Sequence, residues 1–221
     1  MGKLIVIEGL DGSGKSTQLE LLKKRLSEKG LPIKAVSFPD YGSDSSALVK
    51  MYLSGRFGDK PDDVNPFAAS LFYCVDRYAS FKENWGRDYI DGKIIIAGRY
   101  TTSNAIHQAS KLGEEEWKPF LDWLYDIEYK KVGIPEPDLV IFLDMPVEVS
   151  QKLLSGRYKG DEASKDIHER DIEYLNRCRR AARFVADYYG FKTVACADNG
   201  EPRPLESISD DIMSLVSDIL R

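Results

Sequence analysis

The sequence predicts a three-layer α/β fold, with one five-stranded parallel sheet flanked by helices on both faces and a mobile lid loop. Three observations carry this expectation. Short strand patterns recur at Lys3–Glu8, Ile33–Phe38, Lys93–Ala97, Leu139–Asp144 and Lys192–Ala197. The cores Ile94-Ile95-Ile96 and Leu139-Val140-Ile141-Phe142-Leu143 are continuously apolar rather than alternating, as strands buried on both faces must be. Segments long enough for crossover helices separate the strands, and alternation of this kind implies parallel pairing with right-handed connections. No repeat, low-complexity tract or linker interrupts the pattern, so residues 1–221 read as one domain with a lid at about 155–170.

The elements follow in order. Leu4 to Ile7 forms a buried strand that runs into a glycine-rich turn, and the next helix carries Leu19, Leu22 and Leu26 at the 3.6-residue period. Asn65-Pro66 is a helix start, with Asn as the cap and Pro at the first position. The helix it opens extends to about Trp85 and is apolar on nearly every side (Phe67, Leu71, Phe72, Tyr73, Cys74, Val75, Tyr78, Phe81), which predicts burial. Asp76 and Arg77 interrupt it, and a buried charge needs an ionic partner or a ligand. Glu114-Glu115-Glu116 opens a further helix, where acids favour the positive end of the dipole. Ser155–Arg170 mixes glycine, serine and charges, the composition of a mobile loop. Ile172, Leu175, Ala182, Val185 and Tyr189 mark the helix before the last strand, and Ile208, Ile212, Leu215, Val216 and Ile219 mark the C-terminal helix.

Composition narrows the function. A net charge of −5 gives no general electrostatic footprint for nucleic acid or an anionic membrane, so any phosphate site is a local cluster of Lys and Arg. Cys74, Cys178 and Cys196 form no paired framework, which suits a reducing compartment, and Cys74 and Cys196 sit in apolar surroundings as core residues. The histidines His107 and His168 are too few and too separated for a metal cluster. Neither a targeting segment nor an apolar run near the roughly 20 residues of a membrane span is present, so a cytoplasmic location is expected.

The turn Gly9-Leu10-Asp11-Gly12-Ser13-Gly14-Lys15-Ser16-Thr17 matches G-x-x-x-x-G-K-[ST] between a strand and a helix, the context that the motif requires. Its glycines let the backbone wrap an anion, and the helix start attracts phosphate. Lys15 is expected to reach the β- and γ-phosphates of a nucleotide, and the Ser16 hydroxyl to ligate Mg²⁺. In a parallel sheet, ligands gather beyond the carboxyl ends of the strands, which directs attention to Phe38-Pro39 and Gly98-Arg99-Tyr100. No N-K-x-D follows a strand, so a guanine pocket is not supported, and the chain is short for a motor ATPase built around Asp144. Arginines at 77, 99 and 157 instead match phosphoryl transfer, which needs positive charge around the transferred group.

These residues resemble the thymidylate (dTMP) kinases over essentially the whole chain. Glu8 to Gln18 resembles that family's phosphate loop, Ser37-Phe38-Pro39 its segment over the acceptor, and Phe72-Tyr73-Cys74-Val75-Asp76-Arg77 its buried helix. The resemblance implies an aromatic stacked on thymine and Arg77 bonded to the base; Tyr73, four residues before Arg77 and on its face, is preferred to Phe72 as the stacker. Arg99-Tyr100-Thr101-Thr102-Ser103 resembles the family's R-Y-x-x-S, implying that Arg99 clamps the acceptor phosphate with Ser103, Asn104, His107 and Gln108 near sugar and base. Gly98 departs from the family's usual Asp, which organises the metal, and leaves that task to Asp11 and water. His107 stands where the family commonly has Tyr or Phe. Arg157 resembles the lid arginine that packs on adenine, although this lid offers few arginines.

The implied reaction is transfer from ATP to dTMP with Mg²⁺, with Lys15, Arg99 and Asp11 as its catalytic residues, in a homodimer that uses neither nucleic acid nor membrane. Two alternatives remain at this level. One is a deoxynucleoside kinase, for which Asp40 is the nearby carboxylate; the other is a kinase-fold ATP-binding protein with little turnover.

Overall fold

The computed structural model describes residues 1–158 and 172–221, and the side chains of all of these except 154–158 and 172. Five strands, β1 (Leu4–Gly9), β2 (Ile33–Ser37), β3 (Ile94–Gly98), β4 (Leu139–Asp144) and β5 (Lys192–Ala195), form one sheet in the order β2-β3-β1-β4-β5. Every pairing is parallel; Val6 lies opposite Ala97 on one side and Val140 on the other. The last strand stops two residues short of its expected end, and the chain then makes a small hairpin of β6 (Ala197–Asp198) and β7 (Glu201–Pro202).

The continuous apolar runs are explained by the two faces. Ile5, Ile7, Ile94, Ile96, Ile141 and Leu143 pack against Leu22 and Leu26 of helix α1 (Lys15–Glu28) and against Ile208, Ile212 and Val216 of the C-terminal helix (Leu205–Ile219). Leu4, Val6, Ile95 and Ala97 face the opposite layer, where Trp85 and Tyr100 complete the core. That layer holds α2 (Ala47–Leu53), α3 (Pro66–Ser80), α4 (Gly86–Ile90), α5 (Thr101–Ala109), α6 (Glu114–Tyr125) and, beyond α7 (Val147–Tyr158), the long α8 (Ile172–Tyr189). The C-terminal helix is α9.

The Asn65 side chain caps α3 by accepting from Phe67 N at 2.8 Å and Ala68 N at 3.4 Å, with Pro66 at the first position as expected. After Ser80 the helix loosens into a π-turn (Phe81–Trp85) before α4. A second π-turn, Asp126–Val132, follows α6 and carries the buried Glu128.

One expectation needs correction. The helix opened by Asn65-Pro66 is not buried all round: Phe67, Leu71, Val75 (55 % exposed) and Tyr78 form an outward stripe at spacings of four, four and three residues. The inner face is already filled by Ala69, Ser70, Cys74 and Arg77, and on the outer one Phe67 packs on Phe120 and Trp123 of α6 while Leu71 and Val75 stand exposed. Of the lid expected at 155–170, residues 155–158 continue α7, and the rest lies outside the described residues.

Candidate active site

At the carboxyl ends of β1, β2 and β3 lies a cavity of about 260 Å³. It gathers Asp11, Lys15 and Ser16 from the glycine-rich turn, Phe38 and Pro39 after β2, Tyr73 and Arg77 from α3, and Arg99 after β3. Ser103, Asn104, His107 and Gln108 of α5 form its remaining wall. Residues that sequence reading had linked across almost a hundred positions therefore share one space. Three neighbours were missed, namely Leu19, Tyr41 and Leu53, whose positions carry no local signal.

The turn itself is built for an anion. Gly12 and Gly14 take φ of 77° and 87°, the left-handed region that only glycine enters at little cost, and α1 starts without a side-chain cap on its free N–H groups. A Cβ at Gly9 would come within 2.5 Å of Ser13 Oγ, so close packing demands glycine there. Leu10 points its side chain into the core, while its carbonyl accepts from Lys15 Nζ at 2.7 Å. Burial, and then the neighbouring Arg99 charge, lower the Lys15 ammonium to about 8.

Arg99 sits beside it with a backbone φ of 66°, an unusual conformation for a residue with a side chain. Its Nη2 pairs with Asp11, and its Nη1 lies 3.3 Å from Ser103 Oγ and 3.9 Å from Glu8 Oε1. Burial acts to lower its pKa, but the Asp11 and Glu8 carboxylates outweigh it and raise the value. Glu8, which sequence places only at the head of the phosphate-loop segment, holds this corner together. Wholly buried at the end of β1, it accepts from Gly9 N (2.9 Å), Thr102 Oγ1 (2.6 Å) and Ser103 Oγ (2.8 Å), tying the first strand to the start of α5. A lone acid closing an apolar strand was the available signal.

Arg77 resolves a choice left open by sequence. It is 1 % exposed and pairs through Nε and Nη2 with the fully buried Glu128, rather than with Asp76. Asp76 instead accepts from Asp40 N at 2.9 Å and Ser45 Oγ at 2.7 Å, holding the loop after β2. Although partnered, Arg77 still lines the cavity, with Nη1 3.5 Å from the Tyr100 carbonyl.

One site expectation changes. Phe72 does not reach the cavity; it packs on Tyr52 and Phe57, because the helical twist carries it one position round from Tyr73. Asp11, expected to share the metal with Ser16, lines the cavity, paired with Arg99 and 3.7 Å from Lys15 Nζ. The Arg157 side chain lies outside the described residues. Asp40 is not among the residues that line the cavity, although Pro39 and Tyr41 on either side are. Asp144 is gripped by Arg179 at 3.2 Å and Arg183 at 3.1 Å. At Gly98 an added Cβ would meet Leu19 and Ser37 at 3.4–3.5 Å, so packing alone does not exclude a side chain there.

A parallel sheet, a G-x-x-x-x-G-K-S turn leading into α1 and a second cationic residue across one cavity define a P-loop phosphotransferase. The comparisons narrow the class. The thymidylate kinase family model matches residues 7–201, and the chain belongs to that family. It is 32% identical over 178 residues to the thymidylate kinase of Mycobacterium tuberculosis, covering 79% of this chain and 81% of that one. It is 30% identical over 220 residues to a probable thymidylate kinase of Thermococcus gammatolerans, covering 98% and 96%. A solved structure of thymidylate kinase from Candida albicans superposes with a TM-score of 0.71 at 21% identity, over 98% of this chain and 91% of that one, and shares the fold. Kinase chemistry on dTMP is the activity that this membership supports.

Proposed function

We propose that this chain transfers the γ-phosphoryl group of ATP to dTMP directly, with Lys15 on the donor side and Arg99 on the acceptor side of one cavity. The observation that carries the reading is the convergence of both cations on Asp11, Lys15 from the glycine-rich turn itself and Arg99 from the end of β3. When substrates bind, their phosphates replace Asp11 as the partners of these two groups. The acceptor phosphate is already an anion and needs no general base, so positioning and charge stabilisation supply the rate.

The donor set fits a Mg²⁺ carried on the triphosphate. That ion keeps several waters and takes phosphate oxygens, so it needs few protein ligands. Ser16 offers its hydroxyl at the cavity, and no cluster of three acids or histidines stands among the described residues. When bound, the ion would draw charge from the phosphate oxygens; Ser16 is the residue that would hold it.

On the acceptor side, Tyr73 and Phe38 both line the cavity and are the aromatic surfaces available to a pyrimidine ring. Gln108 is 1 % exposed, and its Oε1 has no hydrogen-bond partner among the described residues. A buried amide of this kind wants a ligand. With the remaining N–H groups of Arg77, fixed by Glu128, it offers complementary contacts to a base carrying a carbonyl and a ring N–H.

The outer stripe of α3 is read as a homodimer interface, since Leu71, Val75 and Tyr78 stand exposed side by side. A cytoplasmic location is supported by three buried, unpaired cysteines. Among the described residues, no helix is long and apolar enough to cross a membrane.

Arg99→Ala tests the central assignment. The KM for dTMP should rise at least about tenfold more than the KM for ATP, because a charge-assisted contact to one substrate is lost. Equal losses for the two substrates would refute the role.

A further inference from the structure

We propose that His107 is a positioning residue for Arg99, acting as a neutral imidazole with its proton on Nδ1. The inference rests on the reading of Arg99 as the acceptor-phosphate clamp, and it concerns how that clamp is held.

Arg99 Nη1 lies 3.2 Å from His107 Nε2. A guanidinium has only N–H donors and does not deprotonate in a protein, so Nε2 must be the acceptor. An imidazole that accepts at Nε2 and is neutral carries its hydrogen on Nδ1. The other edge of the ring is arranged for that hydrogen. Nδ1 lies 3.4 Å from Tyr174 Oη and 3.5 Å from Cys178 Sγ, both buried on α8. The Tyr174 hydroxyl donates its own hydrogen to the His107 carbonyl at 3.3 Å, so its oxygen is oriented as an acceptor toward Nδ1–H. Ser110 Oγ donates to the same carbonyl at 2.9 Å. Burial raises the Tyr174 phenol well above its ordinary pKa, which keeps that donor in place.

The choice of a neutral acceptor has a physical consequence. Arg99 is a long side chain with several rotatable bonds, so the partners of its guanidinium fix where the charge sits. Asp11 and Glu8 supply compensating charge, whereas His107 supplies direction without charge. A third carboxylate at this position would compete with the incoming phosphate, while an uncharged nitrogen orients Nη1 and repels nothing. The ring also links α5 to α8, so the clamp is braced from two elements rather than from its own loop.

The test joins spectroscopy and a double-mutant cycle. The chain has two histidines, so its ring ¹⁵N spectrum at neutral pH is assignable with one His168→Gln variant. His107 should appear as the neutral Nδ1–H tautomer; an Nε2–H tautomer overturns the proposal. His107→Phe keeps a ring and removes the acceptor. It should raise the KM for dTMP about tenfold with little change in the KM for ATP, and His107→Gln, which retains an acceptor, should recover part of the loss. In an Arg99→Ala background the His107→Phe effect should vanish, because nothing remains to be positioned. An undiminished effect there refutes positioning while leaving the clamp intact. An Arg99→Ala variant with unchanged dTMP affinity would instead remove the clamp reading itself. If His107→Phe fails to fold, the tautomer measurement on the unmodified protein still decides.

Discussion

Lys15→Met should inactivate this enzyme and stabilise it, and the second effect has a pH signature. The Lys15 ammonium is buried with its pKa lowered from 10.5 to about 8, a difference of 2.5. At 1.36 kcal/mol per unit, the folded chain is destabilised by up to about 3 kcal/mol when this group is charged. Methionine fills similar space without a charge, but it also gives up the hydrogen bond to the Leu10 carbonyl. A net gain of about 1–2 kcal/mol remains, roughly 4 °C in Tm for a chain of this size. The sign with pH follows from proton counting. Between pH 8 and 10.5 the unfolded chain holds a proton on Lys15 that the folded chain lacks, so native stability rises with pH across that window. Below pH 8 both states are charged and the destabilisation is complete. The gap between Lys15→Met and the native protein is therefore largest at neutral pH and shrinks toward pH 10. Lys111, also lowered to about 8 by burial, retains its own contribution in both proteins. Thermal unfolding at pH 7 and pH 10, followed by circular dichroism, measures the gap, and turnover with dTMP should fall at least about a hundredfold. A variant less stable at pH 7, or one whose gain does not shrink with pH, would refute the burial argument.

Glu128→Ala should destabilise the fold by about 3–5 kcal/mol, since it leaves the Arg77 guanidinium buried without its acid; denaturant unfolding measures the loss, and Arg77→Met in the same chain should restore much of it. Val75→Glu should shift the proposed dimer to a monomer by sedimentation while leaving the monomer folded, because Val75 is exposed in the isolated chain. Measured kcat/KM should favour dTMP over dCMP by about ten- to a hundredfold, because cytosine presents an amino group to the Arg77 donors; a preference for dCMP would show that the pocket reads something else.

Much of this protein was legible before folding because its signals are local. The strand cores declare burial on both faces by being apolar without a break, and the glycines of Gly9–Gly14 declare an anion loop by their spacing. Asn65-Pro66 declares a helix start. Each needs only a few consecutive residues, and each element appeared within a few positions of its expected place. Even the wall of the cavity was legible in outline, since parallel sheets collect ligands at their carboxyl ends.

What the tertiary structure decided are the pairings between distant residues and the direction each side chain takes. Arg77 and Asp76 adjoin in sequence, yet the fold turns them to different partners, Glu128 on a π-turn and the loop holding Asp40 and Ser45. Phe72 and Tyr73 are adjacent aromatics with equal claims by composition; both pack on Tyr52, but a helical rotation of about 100° lets only Tyr73 reach the cavity. The apolar periphery of α3 read as core, and only the assembled chain shows that Leu71 and Val75 remain exposed. Glu8, His107 and Asp11 bear on Arg99 through contacts spanning as many as 91 positions (99 − 8). Sequence determines these elements through backbone preferences that act over one or two turns. Ion pairs and hydrogen bonds, which act between whatever groups packing brings within about 3 Å, are determined only once the layers have closed.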